Sequence, residues 1–212
     1  MFPLFFLPFL AVSGGKDFKE KVKLFFIGII PYLVSIFPFL GSSVFRQTVL
    51  FSNQSQKMLF AKINVSGAEY LSVFVVLYVF LFFSSCFKKA ELWKWYLSVL
   101  LIFFSLTHFH PQWFLWISPL LVIFWTEYPK LGGLVFLLYF CWLGITLFFE
   151  PSLSLSLLAP ILPSLLSVKP LSDTAGRFYD VFQLKSLLRS LFAGTALYVS
   201  VLCFSKTVSE EK

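Results

Sequence analysis

The chain has 212 residues, of which 58% are hydrophobic and 13% are charged, and its formal net charge is +7. A soluble domain carries about 25% charged residues, so this composition argues against a water-soluble domain and predicts a protein surrounded by lipid. The positive charge does not indicate a nucleic-acid partner, since no zinc-finger spacing, RNP pattern or basic helix accompanies it. It is typical instead of membrane proteins, whose cytoplasmic loops are enriched in Lys and Arg.

The N-terminal apolar run, residues 1–12, allows two interpretations. It could be a signal peptide, because residues 11–13 form a small-residue cleavage site. The lack of a basic region before it, together with Pro3 and Pro8 inside it, favours the end of a membrane helix that begins upstream. On that interpretation the chain is a fragment of a longer protein.

About seven further apolar segments are each predicted to span a membrane as a helix. They are residues 24–40, 70–87, 93–110, 111–126, 131–149, 151–168 and 187–204, of which 151–168 is rich in Ser and Pro and could be re-entrant. Residues 41–69 and 172–186 are predicted to form short amphipathic helices on the membrane surface. The predicted fold is therefore all-α, a single membrane domain over residues 1–212. It would be a polytopic helix bundle of about seven spans plus a truncated N-terminal one.

The central stretch, residues 93–126, consists of two apolar runs joined by a polar, aromatic turn at residues 107–113. As one helix it would extend roughly 50 Å, far beyond a hydrocarbon core of about 30 Å, so a helical hairpin is predicted. With residues 14–23 in the cytoplasm, alternating spans place most of the 17 Lys and Arg residues on the cytoplasmic side, as insertion physics favours. The same orientation places residues 41–69 and 107–113 on the outer face.

Few chemically active side chains lie on that predicted outer face. His108 and His110 are two residues apart, so on a helix they point in different directions, and no metal site is predicted. They could instead bond to loop carbonyls or to a polar ligand. Arg46 could clamp a phosphate or simply extend into the lipid headgroups. The outer face holds no paired carboxylates and the three cysteines are isolated, so no catalytic residue or cofactor is predicted.

The run THFHPQWFLWISPLL, residues 107–121, resembles a stretch in the C-terminal half of GT-C-type polytopic membrane glycosyltransferases, including the mannosyltransferase-like bacterial proteins. In that family a turn of the form (H)PQ(Y/W)-x-L-W-x-x-P opens a late membrane helix. Residues 45–67, FRQTVLFSNQSQKMLFAKINVSG, look like an outer loop at the matching place. The resemblance covers about residues 1–126.

The resemblance implies transfer of a sugar from a polyprenyl-phosphate donor to a lipid or protein acceptor at the outer membrane face. The family's catalytic acid lies in its first outer loop and has no counterpart here, so the chain is expected to be inactive alone. A substrate-binding role, toward the lipid-phosphate donor or the acceptor, is implied for Arg46, His108, His110, Gln112 and Trp113. The implied location is the plasma membrane of a prokaryote rather than the endoplasmic reticulum.

The residues leave a second function open, a non-enzymatic polytopic membrane protein that serves as a transporter-like module or an assembly partner. Transport is the less attractive of these two roles, since no acidic residue lies within a predicted span and no inverted repeat is visible.

Overall fold

A computed structural model describes residues 2–51, 57–107, 111–149, 158–167, 169 and 171–205. The chain forms two compact units, Met1–His108 and Phe109–Lys212, and each is described by itself. The described residues are mostly helical, which confirms the all-α class.

The first unit begins with two long helices, α1 (Phe2–Gly14) and α2 (Phe18–Ile36), and α2 is extended by a 3₁₀ turn, Phe37–Phe39. Short helical turns follow at α3 (Ser43–Phe45), Arg46–Leu50 and Lys57–Leu59. Strands β1 (Lys62–Ser66) and β2 (Glu69–Ser72) form an antiparallel hairpin. Helices α4 (Val73–Phe87) and α5 (Leu92–Leu106) complete the unit.

Helix α2 begins at a reciprocal cap. The Asp17 carboxylate accepts a hydrogen bond from the Glu20 amide, while the Glu20 carboxylate accepts one from the Lys16 amide, and both distances are 2.7 Å. Such caps satisfy backbone donors that the first turn leaves free. Pro31 lies inside the helix, which continues to Ile36. Pro38 follows α2 closely and has no backbone N–H to donate to the carbonyl four residues earlier, and the α-helix gives way to a 3₁₀ turn there.

The core of the first unit is built around Phe9 of α1, which is fully buried. Its ring makes edge contacts with Tyr78 and Phe82 of α4 and stacks on Trp95 of α5. The Tyr78 hydroxyl also donates a hydrogen bond of 2.9 Å to the carbonyl oxygen of Phe5. Aromatic contacts therefore hold α1, α4 and α5 together.

The predicted amphipathic helices of residues 41–69 are only partly correct. Helical turns occur up to Leu59, but residues 62–72 form the β1–β2 hairpin, so the helical expectation is wrong there. The reason is local: polar and apolar residues alternate with the period of a strand, and Gly67 provides the turn with a φ of 48°, which glycine adopts at little cost. The helix expected at residue 70 consequently begins at Val73.

The second unit begins with a 3₁₀ helix, Pro111–Trp116, and continues with α6 (Ser118–Glu127) and the 3₁₀ turn Pro129–Leu131. It then contains α7 (Gly132–Leu147), the 3₁₀ helix Pro163–Ser167, α8 (Leu171–Ala175) and α9 (Val181–Leu202). The predicted span at residues 111–126 is thus not one α-helix, since its first six residues are 3₁₀. Of the ambiguous span at 151–168, residues 151–157 and 168 lie outside the described residues, and the described part contains the 3₁₀ helix Pro163–Ser167 rather than an α-helix.

Helices α7 and α9 pack closely against each other in the second unit. Gly144 of α7 lies where a Cβ atom would come within 2.9 Å of the Leu188 side chain of α9, so a small residue permits this approach. The amphipathic segment predicted at residues 172–186 is not one continuous helix, because α8 ends at Ala175 and Asp180 caps the start of α9. The Asp180 carboxylate accepts hydrogen bonds from two amides of that first turn.

Two helical stretches among the described residues are long and apolar enough to cross a membrane, Phe18–Phe39 and Pro129–Leu147. Shorter apolar helices lie at Leu4–Gly14, Val73–Phe87 and Leu92–Leu106. The helix expected as the first leg of the central hairpin is present as α5. The number of spans and the hairpin itself stay predictions, since its turn includes residues 108–110, which lie outside the described residues.

Candidate functional site

Three of the five predicted site residues fall within the described residues. Arg46 belongs to the first unit, and Gln112 and Trp113 belong to the second. His108 and His110 lie outside the described residues, so their roles stay predictions.

Arg46 opens a wide helical turn, Arg46–Leu50, in which the Phe51 amide donates to the Arg46 carbonyl. Its Nη1 atom donates hydrogen bonds of 2.6 Å and 3.2 Å to the carbonyl oxygens of Leu40 and Gly41. These carbonyls follow the C-terminal end of α2, where backbone acceptors lack helical partners and the helix dipole favours a cation. Arg46 therefore caps the end of α2, a structural role that the sequence did not reveal.

The electrostatic surroundings of Arg46 are uniformly basic in sequence. No Asp or Glu occurs between Glu20 and Glu69, whereas Arg46, Lys57 and Lys62 all lie in the second half of that interval. Arg46 is exposed, and a guanidinium has five N–H donors. The region is therefore suited to an anion, although the bonds from Nη1 already go to backbone carbonyls.

Gln112 and Trp113 lie on the 3₁₀ helix Pro111–Trp116. Three residues complete one turn of such a helix, so side chains three positions apart lie directly above one another. The rings of Trp113 and Trp116 are accordingly stacked, with centroids 5.7 Å apart and planes 8° from parallel. Trp116 is 48% exposed and Gln112 is also exposed. The helix thus presents an indole pair beside a side-chain amide.

Phe114 anchors this 3₁₀ helix from its buried side. The Phe114 ring stacks on Trp142 at 5.1 Å and makes edge contacts with Tyr139 and Phe192. Because Phe114 lies between the two tryptophans in sequence, its burial orients the indole pair away from the core. A flat, partly exposed aromatic surface next to an amide can bind a sugar ring or lie among lipid headgroups.

Trp116 is the residue that the sequence reasoning missed as a partner of Trp113. The available signal was the W-x-x-W spacing shortly after Pro111, but the sequence predicted an α-helix there, whereas a 3₁₀ helix places side chains three positions apart directly above one another. Within the described part of the chain, no group of three His, Cys, Asp or Glu side chains could hold a metal ion.

No protein-family model matches the chain, and neither a curated protein nor a solved structure matches it. The likeness to GT-C-type glycosyltransferases accordingly rests on the residues quoted from the sequence and stays a prediction.

Proposed function

We propose that this chain is an integral, multi-pass membrane protein. The observation that supports this proposal most strongly is the exposure of α2: none of its residues is buried. Phe26, Ile27, Ile30 and Val34 are each more than half exposed on this helix. Full burial of such a side chain is worth about 1.5–3 kcal/mol, so a helix of this kind is costly in water and stable in lipid.

The charges at the two ends of α2 support an orientation. Lys19, Lys21 and Lys23 lie in its first turns, and no charged residue follows until Arg46. The uncharged interval is long enough for a bilayer core, which needs about 20 residues. Basic residues prefer the cytoplasmic side, so we assign the beginning of α2 to the cytoplasm and the Arg46 region to the outer face.

Among membrane proteins, the residues favour part of a glycosyltransferase that uses a polyprenyl-phosphate-linked sugar. The support consists of the sequence resemblance, the absence of acids around Arg46, and the indole pair, half-buried at Trp113 and exposed at Trp116, with Gln112. This portion lacks the family's catalytic acid, so its role would be to hold the donor or the acceptor. Arg46, His108, His110, Gln112 and Trp113 are the proposed binding residues.

One observation favours the second candidate, a non-enzymatic membrane protein. Arg46, the best phosphate ligand on the proposed outer face, already donates to the Leu40 and Gly41 carbonyls. Its charge would then stabilise the end of α2 rather than a substrate. A transporter-like module or an assembly partner needs no phosphate ligand at this position.

A binding experiment distinguishes the two candidates. The protein is placed in lipid nanodiscs, and equilibrium binding of a radiolabelled polyprenyl-phosphate mannose is compared with that of the same polyprenol without phosphate and sugar. A donor-binding protein prefers the phosphorylated lipid, and Gln112→Ala or Trp113→Ala reduces that preference. Equal binding of the two lipids would contradict the donor-binding role.

The same assay separates the structural role of Arg46 from its proposed role in binding. Arg46→Gln should weaken donor binding about tenfold, the factor for one charge-assisted hydrogen bond of about 1.5 kcal/mol. Arg46→Lys keeps a donor for the two carbonyls but loses the planar fork that matches phosphate, so it should restore stability without restoring full binding. The matched control is Arg177→Gln, another exposed arginine, which should leave binding unchanged.

A further inference from the structure

The β1–β2 hairpin has one polar face and one apolar face. Lys62 pairs with Ser72 and Asn64 pairs with Tyr70, while Ile63 pairs with Leu71. Since neighbouring residues of a strand point to opposite faces, Ile63 and Leu71 share the face opposite the other two pairs. Val65 lies at an irregularity of the ladder between Asn64 and Ser66 and extends the apolar row of Ile63, while Glu69, two residues before Leu71, ends this face.

The apolar face is uncovered. Ile63 is 59% exposed, Val65 is 60% exposed and Leu71 is 51% exposed. A two-stranded hairpin alone is at best marginally stable in water, and it needs its apolar face to pack on something. Which partner covers this face, lipid or protein, depends on the position of the hairpin relative to the apolar helix α4.

The hairpin is fixed at the end of an apolar helix. Ser72 is the last residue of β2 and also the N-cap of α4. The Val73 amide, the first in α4, donates a hydrogen bond of 3.0 Å to the carbonyl oxygen of Ala61, directly before β1. Both strands therefore start or end at the first turn of α4.

This attachment limits how far the hairpin can extend from α4. Strands rise about 3.3 Å per residue, so the five residues of β1 reach roughly 17 Å from the start of the helix. The headgroup layers add about 5–8 Å on each side of the hydrocarbon core. A hairpin that lies along the membrane surface therefore stays within the headgroup layer, whereas one that stands upright would extend beyond it.

We infer that the apolar face of the hairpin lies on the outer leaflet of the bilayer, with Ile63, Val65 and Leu71 inserted below the headgroups. This inference rests on the proposed membrane location. The charges favour lipid over a protein partner, because Lys57 and Lys62 suit anionic headgroups and Glu69, the first residue of β2, is the one acid between Glu20 and Glu91 in the sequence. The Lys62 ammonium lies 4.9 Å from the centroid of the Tyr70 ring, on the face that remains in water.

The inference is tested with nitroxide labels in protein reconstituted into phosphatidylcholine–phosphatidylglycerol vesicles. Single cysteines are placed at Val65 and Asn64, which are neighbours on opposite faces, after the native cysteines are replaced. Collisions with oxygen, which concentrates in lipid, are compared with collisions with a water-soluble nickel chelate. The label at Val65 should favour oxygen severalfold over the label at Asn64.

Two further labels, at Ile63 of the hairpin and at Ile30 of α2, separate misfolding and a wrong membrane location from a wrong hairpin position. A label at Ile63 should behave like the one at Val65, so that misfolding caused by one substitution is recognised. If Val65 and Ile63 both prefer the nickel chelate while a label at Ile30 of α2 prefers oxygen, the hairpin inference is wrong and the membrane location stands. If Ile30 also prefers the chelate, the membrane location itself is wrong. Protection of Val65 from both reagents indicates a protein partner and overturns the inference.

Discussion

Helices α2 and α5 are both rich in Phe, Ile and Leu, yet they differ in how much of their surface is buried against other helices. None of the residues of α2 is buried, whereas α5 is buried along most of its length, from Trp95 to Ser105. Helix α5 contacts α1 and α4 through aromatic rings, while α2 leaves most of its apolar surface open. The comparison shows that hydrophobicity alone does not say whether a helix packs on protein or on lipid.

The largest expected effect is an all-or-none difference in labelling across α2. Cysteine in place of Gly41, which has free space around it, should react with an impermeant thiol reagent in intact cells if α2 crosses the membrane. Cysteine in place of Lys19, at the other end of the helix, should react only after the cells are opened. Equal labelling of both positions in intact cells would show that α2 does not cross.

The same labelling applied to the central hairpin extends the comparison to α5. Cysteine at Gln112 should react from outside, and cysteine at Lys89, before α5, should not. The substitutions are made after Cys86 is replaced, because it is exposed and would react itself. The reverse pattern would overturn the assignment of every loop.

The second effect in size compares two phenylalanines with opposite environments. Phe9→Ala should lower the free energy of unfolding by about 3–5 kcal/mol, since it leaves a cavity among packed rings. Phe26→Ala, at a position that is 59% exposed on α2, should cost less than about 1 kcal/mol in detergent. Thermal unfolding of the two variants in the same detergent measures the difference. Similar losses for both would mean that α2 packs on protein.

A smaller effect compares two helical glycines of the second unit. Gly194 of α9 has open space where a Cβ would lie, whereas a Cβ at Gly144 of α7 would come within 2.9 Å of the Leu188 side chain. Gly194→Ala should stabilise the protein by up to about 1 kcal/mol through helix propensity. Gly144→Val should destabilise it by about 1–3 kcal/mol through overpacking. The shift in unfolding temperature of each variant reports the sign, and stabilisation by Gly144→Val would contradict the close packing of α7 and α9.

The smallest expected effect concerns the cap at the end of α2. Arg46→Gln removes a cation from the C-terminal end of the helix, which is worth about 0.3–1 kcal/mol at low ionic strength. The loss should shrink as salt is added, because an exposed charge is screened. Unfolding measured at low and high salt checks this, with Arg177→Gln as the control. A loss that does not depend on salt would assign the effect to packing.

Much of the chain could be predicted from local patterns. Helix α5 runs from Leu92 to Leu106 and so begins next to the predicted start at residue 93, because a continuous apolar run without proline leaves few alternatives. Helix α2 ends before Pro38 for an equally local reason, the missing backbone N–H of proline. The hairpin at residues 62–72 was missed, although the alternation of polar and apolar residues and Gly67 were present, because short segments also fit an amphipathic helix.

The candidate site was harder to predict than the fold. Trp113 was identified through the resemblance, but its stacking on Trp116 depends on a 3₁₀ conformation that begins after residues 108–110. Arg46 was interpreted as a phosphate ligand, whereas its bonds to Leu40 and Gly41 depend on how the chain turns back at the end of α2. Both features require contacts that a pattern along the chain does not specify.

The sequence by itself determined that this protein is mostly helical, apolar and basic, and roughly where its long apolar helices lie. These properties follow from composition, caps and prolines, which act over a few residues. Only the tertiary structure decided that α5 is buried while α2 is not, that α7 approaches α9 at a glycine, and that two indoles stack. The physical reason is that apolar side chains are favourable both in a protein core and in a lipid bilayer. Whether a given helix is buried in protein therefore depends on which other helices pack against it.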